Sequence, residues 1–173
     1  MPEIKSTAEP LDVVTSKQLN CFLGFDNPEL LSAINKSFSP YGITSKLRIC
    51  HTIAQLFHES GGFKRKDENL YYSAGRLRAV WPSRFKSVLQ AQPFAHNPQK
   101  LANEVYGGRM GNDHMNDGWK FRGGGYCQLT GKDMYKGYHA YIQYHGTLDE
   151  LAEKIRTETF YAMDSALWVI VKE

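Results

Sequence analysis

Apolar positions recur at three- and four-residue intervals along most of the chain, the spacing that lines one face of an α-helix. Between Asp26 and Phe38, the residues Leu30, Leu31, Ile34 and Phe38 keep that spacing, and Pro28 suits a first turn. After the turn SPYGITS, Ser45 stands ready to cap LRICHTIAQLFHES, where Leu47, Cys50, Ile53, Ala54 and Phe57 form the expected apolar stripe. Gly61 and Gly62 stop it. Further helices are predicted over 73–80, ending before Pro82, and from Pro98 through Tyr106. Helical patterns return at 133–144, 148–155 and 159–171. The stretch 107–131 departs from this rule. It is rich in Gly, Asn and Asp, with WKF and YCQL as strand-like pieces around Gly123, Gly124 and Gly125, and it predicts a small β-hairpin or irregular β insert. Residues 1–11, polar and Pro-containing, read as a loose lead-in, and 12–173 as a single domain. The fold class expected is mainly α with a minor β element.

Composition narrows the function classes. A length of 173 residues suits one domain with a sizeable core, and 42% hydrophobic with 23% charged residues is a globular balance rather than a disordered one. The net charge of +3 suits an anionic polymer as partner but is far from a nucleic-acid signature. The basic run FKRKDE is broken by its own acids, and RGGGYCQLTGK lacks the ending that a phosphate loop needs. No nucleic acid is expected as a partner. Cys21, Cys50 and Cys127 lack C-x-x-C spacing, so neither a disulfide framework nor a zinc site is predicted; Cys50 and Cys127 are expected as buried thiols. His58-Glu59 begins like H-E-x-x-H, but Gly62 occupies the second His position, and His51 finds no third ligand. No metal or cofactor is expected. There is no G-x-S-x-G, no apolar run long enough for membrane insertion, and no secretory h-region at the start, which predicts synthesis in the cytoplasm.

The carboxylates remain. Glu59 closes an apolar helix, where the negative end of the dipole and burial beside Phe57 and Phe63 are expected to favour its protonated form. Glu68 follows Lys64, Arg65 and Lys66, whose charges are expected to keep it ionised. A continuous helix would separate the two by about 13–14 Å along its axis, but the Gly-Gly break lets the chain fold back. Hydrolysis of a glycosidic bond with inversion needs an acid and a base roughly 6.5–9.5 Å apart, with water between them. The pair suits that chemistry, although a glutamate at a helix end is commonplace and the residues alone leave a purely structural role open.

Five stretches then narrow the reading: YGITSKLR (41–48), AQLFHESGGF (54–63), ENLYYSAGRL (68–77), ANEVYGGRMGN (102–112) and DGWKFRGGGYCQLTGKDMY (117–135). In this order the chain resembles glycoside hydrolase family 19, in its compact bacterial and phage branch of chitinase-like endolysins. The resemblance implies a lysozyme-like, two-lobed helical fold that hydrolyses β-1,4 links between N-acetylated amino sugars with inversion. It carries the acid onto Glu59, the second carboxylate onto Glu68, and the hydroxyl that holds the attacking water onto Thr130. Asp67 is an off-register competitor for Glu68. His58, Tyr71, Tyr72, Arg109, Asn112 and Gln128 are the residues expected to line or support the substrate cleft, with Trp119 in core support.

Three departures accompany the resemblance. Gly124 replaces the middle Arg of R-G-R-G, Gly108 replaces the Asn before R-M-G-N, and the chain stops at DSALWVIVKE without the family's I-N-G-G-like segment. A truncated variant, a partner covering that side, or drift from efficient catalysis would each account for this. The leading expectation is an endolysin-like hydrolase that acts on peptidoglycan at the cell wall after release or delivery. The alternatives are a chitinase acting on chitin or chito-oligosaccharides, and a catalytically weakened glycan-binding or toxin-like protein.

Overall fold

The computed structural model describes residues 13–172, so the expected lead-in over 1–11 lies outside the described residues. Ten α-helices follow one another: α1 (Ser16–Leu23), α2 (Pro28–Ser37), α3 (Lys46–Glu59), α4 (Ala74–Val80), α5 (Val88–Ala91), α6 (Pro98–Tyr106), α7 (Asp117–Lys120), α8 (Lys132–Tyr141), α9 (Leu148–Thr157) and α10 (Thr159–Lys172). Their starts follow from local chemistry. Asn27, Ser45, Ser73, Asn97 and Thr147 each accept a hydrogen bond from a first-turn amide, and Pro28 and Pro98 sit where a missing N–H costs nothing. The short helices α1 and α5 and two 3₁₀ turns were not anticipated.

Two separate apolar cores make two lobes. The larger gathers α1, α2, α3, α8, α9 and α10 around Leu30, Phe38, Leu56, Tyr138, Ile155 and Leu167. The smaller is built by 70–105, around Leu70, Leu77, Phe85, Leu101 and Val105. This is the mainly α, two-lobed lysozyme-like class expected from the sequence. Helix α10 runs through the larger core; from Ala162 to Trp168 every residue is buried, which explains a stretch that is apolar nearly all round.

Two expectations change. The predicted stripe of α3 is rotated: Ile49, Thr52, Ile53 and Leu56 are buried, whereas Leu47, Cys50, Ala54 and Phe57 are exposed. Cys50 is therefore not a buried thiol, and Cys127 is only half-buried. The β insert shrinks to two isolated antiparallel bridges, Asp67 with Gly124 and Gly124 with Leu129; the WKF piece lies across the end of α7. Glycines at 123–125 leave no side chains to support strand pairing, so the ladder stops after single bridges.

Candidate active site

The site lies at the seam of the two lobes, where the chain leaves α3. Ser60 caps that helix by donating to the Leu56 carbonyl at 2.6 Å and accepting from the Phe63 amide at 2.8 Å. Gly61, Gly62 and Phe63 then take φ values of 62°, 83° and 58°, three left-handed residues in a row. For Phe63 that conformation costs on the order of 1–3 kcal/mol. Its ring offsets the cost by edge-on packing with Phe57 and Tyr126, at 5.8 and 5.2 Å between centroids. This reversal directs Lys66, Asp67 and Glu68 into an extended run against Gly123–Gly125. Glu68 donates its amide to the Gly123 carbonyl, and Gly125 donates to Lys66.

Side chains alternate along an extended segment, and that alternation separates the two acids. Asp67 forms a bidentate pair with Arg122, at 2.9 and 2.6 Å, while the Arg122 guanidinium stacks 3.6 Å over Trp119. Both its oxygens are thus tied to the framework. Glu68 turns the other way: Oε1 accepts from Tyr106 Oη at 2.6 Å and Oε2 from the Gly123 amide at 3.0 Å. The donors to Glu68 are therefore a phenol and a backbone N–H, not the basic cluster anticipated. Lys66 is engaged elsewhere, with the Thr157 carbonyl and the Thr159 hydroxyl. Burial, then the hydrogen bond to Glu68, pushes the Tyr106 phenol well above its ordinary range, which keeps it a donor.

Gly123 is held by an uninterrupted set of contacts. The carbonyls of Trp119, Lys120, Phe121, Arg122, Gly123 and Gly124 accept, in order, from Arg122 Nη1, Arg156 Nη1, the Gly131 amide, Tyr135 Oη, the Glu68 amide and the Leu129 amide. Burial pushes the Tyr135 phenol up to about 12, against the pull of Arg156 and Arg122, so it too stays a donor. A Cβ would be crowded at either glycine of this run. At Gly124 one would meet Tyr135 Oη at 2.6 Å and Arg156 Cγ at 3.1 Å; at Gly123 one would meet Gln128 Oε1 at 2.5 Å and Glu68 Oε2 at 3.1 Å.

The remaining expected residues divide into two groups. Gln128 meets Glu68 beside Gly123, and Thr130 is tied to Gln128. Gln128, in a left-handed conformation at φ 55°, reaches over Gly123, and Thr130 Oγ1 donates to the Gln128 carbonyl at 2.7 Å. Arg109 is exposed, and its charge acts on Tyr106. Glu59 ends α3 exposed, so the burial expected beside Phe57 and Phe63 is absent. His58 faces a cavity of about 390 Å³ with Phe25, Phe57 and Lys64. Tyr71 is exposed and lies against His96, whereas Tyr72 packs on Trp81 in the smaller core. Asn112 is 1% exposed, with its side chain bonded to the Tyr106 carbonyl and the Lys132 amide. It therefore supports the loop after α6 and does not face a cleft.

Sequence reasoning missed Tyr106 and the Gly123 amide as partners of Glu68. The tyrosine was legible only as the last residue of a helical pattern, and a backbone donor leaves no side-chain signal. Of the departures, Gly108 has φ 68° in open space, a conformation that Asn and Gly share, so that exchange is conservative for the backbone. Among the described residues no group of three His, Cys, Asp or Glu side chains could hold a metal ion, and no helix is long and apolar enough to cross a membrane.

No family model matches the chain. Over 112 residues it is 38% identical to a glycosyl hydrolase family 19 domain-containing protein of Haemophilus influenzae. That match covers 64% of this chain and 56% of the relative, so the chain spans little more than half the length of the curated relative. The motif resemblance and this similarity agree: the chain is related to a protein that carries the name of glycoside hydrolase family 19.

Proposed function

We propose that the protein is an inverting glycoside hydrolase acting on β-1,4-linked N-acetylated amino sugars, with peptidoglycan as its polymer. The observation that carries this reading is Glu68, whose two oxygens are oriented by Tyr106 and the Gly123 amide while Gln128 stands alongside with the Thr130 hydroxyl bonded to its carbonyl. Glu59 donates a proton to the glycosidic oxygen as the bond to the anomeric carbon breaks. Water attacks that carbon from the opposite face and gives its proton to Glu68. The Thr130 hydroxyl spends its own proton on the Gln128 carbonyl, which leaves its lone pairs to accept from that water. Peptidoglycan is preferred over chitin for the net charge of +3, which suits an anionic wall. Action at the wall after release from the cytoplasm belongs to the same proposal.

Zymography on purified sacculi tests it. Clearing by the wild type and a loss of roughly 10²-fold or more in Glu59→Gln is expected for removal of a general acid; equal clearing by both overturns the reading. Hydrolysis of chito-oligosaccharides but not of sacculi moves the substrate to chitin. A second reading, a glycan-binding protein with weak turnover, draws on one observation. Glu59 is exposed and lines neither that cavity nor a second one, of about 590 Å³, bounded by 142–146 and α10. Saccharide binding by calorimetry without product would select it.

A further inference from the structure

The second cavity is lined by none of the residues assigned to hydrolysis. Its walls are Tyr144, Phe160 and Tyr161, its rim carries Gln143 and His145, and Asp164 lies at its base. Asp164 is 8% exposed. Tyr41 Oη and Tyr138 Oη both donate to its Oδ2, at 3.0 and 2.7 Å, and Oδ1 receives no hydrogen bond from the described residues. The tyrosine pair accounts for one oxygen and leaves the other to meet whatever enters.

The carboxylate also lacks a counter-charge. No Lys, Arg or His among the described residues forms an ion pair with it. Lys154 sits 5.2 Å over the Tyr161 ring, and its ammonium is committed to Glu158 at 2.7 Å. A buried carboxylate facing an aromatic-walled cavity with no cation is an uncompensated charge, which a positively charged ligand relieves. The rings meet edge to face, Phe160 with Tyr161 at 5.3 Å and Tyr144 with Tyr161 at 6.0 Å, and as lining residues they give an alkyl chain an apolar surface beside the carboxylate. A neutral hydroxyl would use only Oδ1; an ammonium group uses the oxygen and the charge together.

We propose that this cavity binds an alkylammonium group, its N–H donors on Asp164 Oδ1 and its carbon chain against Phe160 and Tyr161. The proposal stands apart from the hydrolase reading and survives its failure. The test is a titration of the isotope-labelled full chain with n-butylammonium chloride, followed by NMR, with sodium chloride and n-butanol as controls. Saturable shifts confined to Tyr144, Phe160, Tyr161 and their neighbours are expected, at least tenfold tighter than any response to n-butanol. Asp164→Asn should abolish them. Because that change also touches two buried tyrosines, Phe160→Ala at a 40% exposed position provides a second variant, expected to weaken binding several-fold with the rest of the spectrum unchanged. No saturable shift in the wild type, an equal response to n-butanol, or undiminished binding in Asp164→Asn would overturn the proposal.

Discussion

At the scale of single residues, the arrangement turns on which side chain reaches Glu68. Tyr106 donates at 2.6 Å from the last position of α6, across the seam between the lobes. A hydrogen bond to a charged group is worth about 1.5–3 kcal/mol, and 1.4 kcal/mol is tenfold in rate. Tyr106→Phe should therefore lower kcat on sacculi roughly tenfold or more while near-UV circular dichroism stays native-like. The preference for Glu68 over Asp67 comes from the register of ENLYYSA in the resemblance. What made Asp67 unavailable was not legible: its partner Arg122 stands 55 residues away and is chosen by the folded chain. The exposure of Glu59 was equally hidden, since periodicity reports that a helix ends and not what covers the end.

The elements themselves were the most readable level, because caps and prolines act locally. Ser45, Ser73 and Pro98 opened helices where expected. The face of α3 was misread because both sides of it carry apolar residues: Ile49, Ile53 and Leu56 on one, Leu47, Cys50 and Phe57 on the other. Only the assembled larger core decides between them. The run 119–124 gives the clearest element-level test. The resemblance would place an arginine at Gly124, yet the space there is already filled by Tyr135 and the stem of Arg156. Gly124→Arg should therefore not restore the family pattern. Overpacking on the order of 1–3 kcal/mol or more is expected, read as a lower urea midpoint, and Gly124→Ala should show a smaller loss of the same sign.

For the whole molecule, two buried acids pull the pH dependence of stability in opposite directions. Burial raises Asp117, but the hydrogen bond from Lys132, the His114 amide and their charges outweigh it and hold its carboxyl below the ordinary 3.8. Its contribution is present above 3.8 and is lost as pH falls through the lower folded value. Lys132→Met should therefore cost about 3 kcal/mol near neutrality, as expected for breaking a buried pair, and much less at acid pH, by urea unfolding. Asp164 is the reverse case. Burial raises its carboxyl, the two tyrosine hydrogen bonds offset this only in part, and the stability it contributes is lost as pH rises through the folded value. Asp164→Asn should gain on the wild type as pH rises above 3.8, measured the same way. The unbroken series of captured carbonyls has its own consequence for the two lobes. It ties a strip of the larger lobe to the residues that lead into the smaller one, and within it the Gly123 N–H answers to a side chain alone. In heavy water that one proton should be a gauge of Glu68: slow to exchange in the native chain, and released selectively, ahead of the Gly124 and Leu129 amides, in Glu68→Ala.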